Sequence, residues 1–286
     1  MTLISILLGL ALVYFLGPLD RFRDFSWFER YSQWLESRCN RIKLWDGPTG
    51  VVLTLALPLC LLLIVTSWLG SLSLIFPFII SIGVFVYSLG ADPNRYFDSL
   101  ISILADQDEE SLKDMLRDLG LEPENIDQAG ILRALLLKTH ENLFGVIFWF
   151  IVLGITGALL YALAETMYRR YSDIHGGFAR SVGDLHRIMM WPSARLLALG
   201  FALGGSLVDA LEGWRSARGE SLECSEDVIC RSGLGAMQFQ PEPEHDGEHH
   251  GMLSSSLLQG LQAIINRTLI VWLTVLGIMT IANWLS

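Results

Sequence analysis

The sequence is 286 residues long, 52% hydrophobic and only 17% charged, with a formal net charge of −10. That balance excludes general nucleic-acid binding, which needs clustered Lys and Arg to displace counterions from phosphates. Several charge-free runs are long enough to cross about 30 Å of hydrocarbon as helices. The expected class is therefore an all-α, polytopic helical membrane protein.

In chain order the candidate spans are Met1–Leu16, Val51–Gly70, Leu72–Leu89, Leu143–Leu163 and Leu269–Leu285. Together they predict about five transmembrane helices in a single integral membrane domain over residues 1–286. The first run lacks the basic n-region and small-residue cleavage site of a signal peptide, so it is expected to stay as a helix. The segment 17–49 holds Arg21, Arg23, Arg30, Arg38, Arg41 and Lys43, the densest basic loop in the chain. By the positive-inside rule that loop is cytoplasmic and the N-terminus lies outside. Within it Phe25, Phe28, Tyr31, Trp34 and Leu35 recur at three- and four-residue steps, predicting an interfacial helix with its aromatic side towards the lipid.

Residues 91–142 form an acidic cytoplasmic loop. In it DEESLKDMLRDLG predicts a helix with Asp108 as N-cap, Leu112, Met115, Leu116 and Leu119 on one face, and Gly120 as the stop. A second helix is expected after Pro123, running into the apolar stretch that follows Asn142. Residues 166–195 read as a basic loop. If Leu143–Leu163 crosses fully, Arg169, Arg170, Arg180 and Arg187 lie outside, against the positive-inside rule. From Leu196 to Val208 the chain is apolar again but too short to span comfortably, so residues 194–211 predict a re-entrant or interfacial half-helix. Residues 212–267 read as a polar flexible loop. The last span carries Trp272 and Trp284 as interfacial anchors.

No phosphate-binding loop, dinucleotide fingerprint or H-E-x-x-H zinc pair occurs. His245, His249 and His250 crowd with Asp246 and Glu248 in EHDGEHH, a donor set suited to zinc or nickel, but a loop without fixed geometry is a weak candidate. No metal and no cofactor is assigned. Cys224 and Cys230 enclose SEDVI; outside the cytoplasm they could close a disulfide, and inside it both would be reduced. Gly154, Ala158 and Ala162 recur every four residues, and Gly200 and Gly204 form a G-x-x-x-G. Small residues at this spacing let helix backbones approach, so the two seams are expected to pack together, with a ligand cleft between them as the sharper alternative. The polar residues bordering these segments, Glu141, Asn142, Glu165, Arg195 and Asp209, are the candidates for such a cleft.

Two runs, ENLFGVIFWFIVLGITGALLYALAE and WPSARLLALGFALGG, together with the order of the spans, resemble the AmpE family of bacterial inner-membrane proteins linked with β-lactamase induction. That family is in turn similar to the CbiB/CobD cobalamin-biosynthesis synthases. By position, Glu141 and Asn142 match the polar pair before the family's G-x-x-G-A-x-x-Y element. Gly154, Gly157, Ala158 and Tyr161 match that element, and Trp191 and Arg195 match its W-x-P-x-R-L motif. The synthases carry a basic residue where Ala162 stands, and Pro192 falls one place early, leaving Ser193 at the family's proline position. The resemblance implies a sensor or transducer near peptidoglycan recycling, with the lipid bilayer and a membrane or cytoplasmic protein as partners and no nucleic acid. The alternative is a membrane-bound synthase condensing an amine with a carboxylic acid through Glu141, Asn142 and Arg195. A transporter fits least, because the spans hold almost no charge and show no inverted repeat.

Overall fold

A computed structural model describes residues 2–16, 24–39, 45–73, 75–90, 92–122, 127–172, 174–217, 224–239 and 254–282, and among these the regular structure is entirely helical. The helices are α1 (Thr2–Leu16), α2 (Ser26–Cys39), α3 (Pro48–Gly70), α4 (Ile75–Ser88), α5 (Pro93–Asp106), α6 (Glu109–Asp118), α7 (Gln128–Thr139), α8 (Gly145–Tyr171), α9 (Gly177–Gly204), α10 (Leu207–Ser216), α11 (Ser225–Ala236) and α12 (Ser255–Ile281). A π-helical turn, His140–Phe144, joins α7 to α8. By length and composition four stretches can cross a membrane, Pro48–Gly70, Ile75–Asp106, Gln128–Tyr171 and Ser255–Ile281, and Leu3–Phe15 is a shorter apolar helix. The protein is a polytopic helical membrane protein. Its described residues divide into two compact units, Met1–Ala91 with Leu143–Ser193 and Met279–Ser286, and Asp92–Asn142 with Ala194–Ile278.

In the first unit α3 and α4, the second and third candidate spans, form a hairpin through Ser71–Leu72, and α1 lies on α4 where Gly9 admits the ring of Phe85. The amphipathic helix α2 forms as predicted, but its apolar face is turned the other way. Phe28 and Leu35 are buried in one cluster with Trp45, Val51, Leu55, Leu163, Met167 and Phe178, and Phe25 and Tyr31 pack against it. Protein, not lipid, therefore covers that face. Three polar links add to the contact: the Tyr171 hydroxyl donates to Glu36 Oε2 at 3.0 Å, Arg170 pairs with Glu29 at 3.9 Å, and the Phe178 N–H donates to Asp46 at 2.8 Å.

The largest departure from expectation is α8. Gly154 interrupts it with φ 65° and ψ −150°, a conformation open only to glycine. A Cβ on Gly157 would strike the carbonyl of Trp149, and one on Gly145 would enter the ring of Tyr161. Residues 145 and 161 would stand about 24 Å apart in a straight helix, so the two arms fold back on each other. Leu143–Leu163 is thus a helical hairpin broken at Gly154 and not one straight helix. Its tip exposes Val152 and Leu153. The 166–195 segment is not a loop either. Helix continues to Tyr171, and α9 begins at Gly177.

In the second unit α6 has the predicted ends. Asp108 accepts from the Ser111 N–H at 3.1 Å, and Gly120 takes φ 78°. Helix α5 is an addition, capped by Asp92 and burying Phe97 and Leu100. Residues 194–211 complete α9 and begin α10, with the chain turning at Gly205–Ser206. Ala198, Ala217 and Val228 then share one small cluster flanked by Trp214, which requires the chain to double back. The 212–267 segment contains a full helix, α11, whose Val228, Ile229, Cys230, Ser232, Gly233 and Ala236 are buried. Small residues there conceal a helix–helix contact face. A Cβ on Gly213 or Gly235 would collide with the backbone of the opposing helix in the α10–α11 pair. Helix α12 starts well before the predicted Leu269, and Trp272 lies inside it against Gly200. Trp284 lies outside the described residues.

Candidate functional site

In the second unit the π turn places Glu141 and Asn142. A π turn inserts a residue into the α-helical register, and such turns recur at functional sites. Asn142 is buried, and Glu141 is partly open with its carboxylate 3.7 Å from Lys138 Nζ. Arg195, in the same unit, is partly buried, and its guanidinium donates to Ser225 Oγ at the start of α11 at 3.5 Å. Asp209 accepts from Ser206 Oγ at 2.5 Å and Gln238 Nε2 at 2.9 Å, fastening α10 to the end of α11. These carboxylate, amide and guanidinium groups offer proton acceptance, dipolar positioning and binding of a carboxylate or phosphate.

The remaining motif residues, Gly154, Gly157, Ala158, Tyr161 and Trp191, belong to the first unit. Their geometry explains the motif in structural terms. Gly154 makes the break and Gly157 admits the Trp149 carbonyl. Ala158 and Tyr161 are buried, with the Tyr161 ring on Gly145. Trp191 is exposed on α9 beside Pro192, which removes one helical donor. Close by, the Met189 carbonyl accepts from Trp149 Nε1 at 3.0 Å.

The two small-residue seams do not behave as the spacing suggested. Gly154 has open space around it, and Ala162 is a buried residue of the returning arm. Gly200 and Gly204 face α12, where added Cβ atoms would meet Thr268 and Trp272, and Thr268 Oγ1 donates to the Gly200 carbonyl at 3.2 Å. The four-residue recurrence therefore marks a chain reversal in one place and a helix contact in the other.

The disulfide that Cys224 and Cys230 could have closed is absent, neither sulfur being bonded to another. Cys224 caps α11 and Cys230 lies inside it, so the helix separates them by about 9 Å of rise, beyond the reach of a bridge. Burial pushes the Cys230 thiol up to about 12. His245, His249 and His250 lie outside the described residues. Among the described residues no cluster of three or more His, Cys, Asp or Glu could hold a metal ion.

The structure also brings forward a pair that sequence reading missed. Glu165 and His186, each 4% exposed, meet at 2.9 Å between Oε2 and Nε2, and Arg169 Nε donates to the other carboxylate oxygen at 3.0 Å. Tyr168 stacks flat on the imidazole at 3.9 Å between ring centres. A buried charge of this kind is retained only when paired and hydrogen-bonded. The cluster ties the returning arm of α8 to α9. Glu165 was marked by its position after an apolar run, but nothing local marks His186 as its partner.

A family model described as CobD/Cbib protein matches residues 6–225, which include every motif residue from Glu141 to Arg195. Among curated proteins, the chain is similar to the cobalamin biosynthesis protein CobD of Chromobacterium violaceum, at 31% identity over 121 residues, 39% of this chain and 38% of that one. The protein of the same name from Stutzerimonas stutzeri is 32% identical over 98 residues, 32% of each chain. That of Brucella suis biovar 1 is 31% identical over 121 residues, 40% of this chain and 36% of the relative. The chain thus aligns with less than two fifths of the length of these relatives. No solved structure gives a significant match. With most of its length matched to one family model, the chain belongs to the CobD/Cbib protein family.

Proposed function

We propose that the chain is a membrane-embedded synthase of the CobD type, acting in cobalamin biosynthesis by condensing an amine with a carboxylic acid at the membrane face. The observation that carries this reading is the family match over residues 6–225 together with relatives named as cobalamin biosynthesis proteins. In this scheme Arg195 holds the carboxylate or a phosphate of the acid partner, a role suited to a planar guanidinium. Glu141 takes the proton that the attacking amine loses, while the carboxyl oxygen, activated as an acyl phosphate by a nucleoside triphosphate co-substrate, departs as phosphate. Asn142, buried in the π turn, orients the reacting groups. The membrane is the bacterial inner membrane, with the N-terminus periplasmic on the strength of the basic segment 17–49.

The test is complementation of a cobalamin-requiring host that lacks its own CobD-type protein. Expression of the chain should restore growth, and Arg195→Ala or Glu141→Ala should abolish it while membrane levels stay unchanged. Wild-type growth with both variants would sink the enzymatic reading.

A second reading, a sensor or transducer of the AmpE type that meets a membrane or cytoplasmic protein partner, draws support from one observation. Ala162, where the synthases carry a basic residue, is buried and uncharged on the returning arm of α8. Under that reading deletion of the gene changes β-lactamase induction, and Arg195→Ala leaves induction as it was.

A further inference from the structure

The turned α2 leaves a second face outward. Trp27, Arg30, Trp34 and Arg38 recur at steps of three and four and all four are exposed, with Trp27 at 41% and Trp34 at 55%. Side chains at this spacing form a single stripe on a helix. The Arg38 guanidinium lies over the Trp34 ring at 5.9 Å. The helix carries two acids, and both are engaged by α8: Glu29 pairs with Arg170, and Glu36 accepts from Tyr171. Asp24, just before the helix, is held by the Ser26 N–H and hydroxyl at 2.8 and 2.7 Å. The stripe is therefore cationic and aromatic.

Its height relative to the bilayer is set by its neighbours. Trp27 Nε1 donates to the Tyr87 hydroxyl at 2.7 Å, one residue before the end of α4, and Tyr87 in turn donates to the Asp24 carbonyl at 2.8 Å. After α2 the chain reaches α3 through Trp45, which stacks on Phe178. The helix thus lies across the ends of apolar helices. Trp prefers this depth, and Arg there meets lipid phosphates.

We propose that the Trp27–Arg30–Trp34–Arg38 face of α2 is a docking surface for anionic lipid headgroups of the bilayer in which the chain sits. Charge complementarity selects the occupant, since two guanidinium groups beside two indoles match a phosphate above an acyl boundary. The inference does not depend on which reaction or signal the chain serves.

The test uses the full chain in nanodiscs of phosphatidylcholine mixed with phosphatidylglycerol, with the bromine quencher carried on the acyl chains of one lipid or the other. Trp34 fluorescence is isolated as the difference between wild type and Trp34→Phe. Brominated phosphatidylglycerol should quench Trp34 more strongly than brominated phosphatidylcholine, and salt should reduce the difference. Arg30→Gln with Arg38→Gln should bring the two to parity, each arginine accounting for about a fivefold enrichment. Arg117→Gln on α6 should leave the preference intact. Equal quenching in wild type, or a preference that survives in the double variant, overturns the proposal. So does protection of Trp34 from both lipids, the result expected if a protein partner or second copy covers the face. Should the double variant lose its helical signal, Arg38→Lys, which keeps the charge, must retain the preference, and wild type must lose it in high salt.

Discussion

At Gly154 the backbone adopts φ 65° with nothing within 4 Å of an added Cβ, whereas Gly205 is hemmed in, an added Cβ falling 2.5 Å from the Ala236 carbonyl. The first glycine is needed for its torsion angles and the second for its lack of volume. Both sit where an apolar helical run reverses, so in sequence the two bends look alike. Their supports differ too. The returning arm of the first bend is tied to α9 by the buried Glu165–His186 pair, and the second is fastened by the α10–α11 contact and the Asp209 hydrogen bonds. A small residue at a helix reversal thus carries two meanings, and only the surroundings distinguish them.

The largest effect that can sharpen this contrast lies beside the second bend. Variants retaining only Cys224 or only Cys230 should differ in maleimide labelling, because raising a thiol to about 12 lowers its thiolate fraction about a thousandfold. Comparable rates, or a reductant-sensitive mobility shift of the chain with both cysteines, would break the buried α11 packing described above. Next comes the support of the first bend. His186→Ala leaves the Glu165 carboxylate buried with Arg169 alone and should cost roughly 3 kcal/mol or more in denaturant unfolding. Glu165→Gln combined with His186→Leu should recover part of that loss, and no recovery would show that the site is held by packing rather than charge.

Gly154→Ala and Gly205→Ala should each cost about 1–3 kcal/mol, the former through strained torsion and the latter through overpacking. Amide exchange separates the two. Gly154→Ala should loosen α8 and Gly205→Ala the α10–α11 pair, and a single shared pattern would erase the distinction. The smallest effect is at Asp108, remote from both bends. Hydrogen bonds from Ser111 lower its carboxyl below the usual range. A depressed folded-state pKa contributes stability above the unfolded value, lost as pH falls through the folded one. Exchange protection of α6 should therefore decline below about pH 4, and Asp108→Asn should weaken that dependence.

How much of this was legible follows from what each signal measures. Apolar runs and an acidic capped segment are local features, so the membrane class, the α3–α4 hairpin and both ends of α6 could be read directly. The fold-back of α8 could not, because a glycine at a tight reversal and a glycine in a straight packing helix leave the same apolar periodicity. Helix α11 was hidden for a related reason: Ser232, Gly233 and Gly235 contribute little hydrophobicity, yet their small size is what lets Leu136 and the Asp209 backbone approach. The orientation of α2 was ambiguous since both of its faces carry aromatics. Of the candidate site, Glu141, Asn142 and Arg195 were readable as polar borders of apolar runs, and His186 depended on a contact across 21 residues.

The reversal at Gly154 also bears on where positive charge gathers in the first unit. Arg170 reaches Glu29 and Tyr171 reaches Glu36 on α2, which puts the C-terminal end of α8 beside that helix. Arg170 and the arginines of α2 are thus gathered in one region of the first unit, which a straight α8 would have pulled apart.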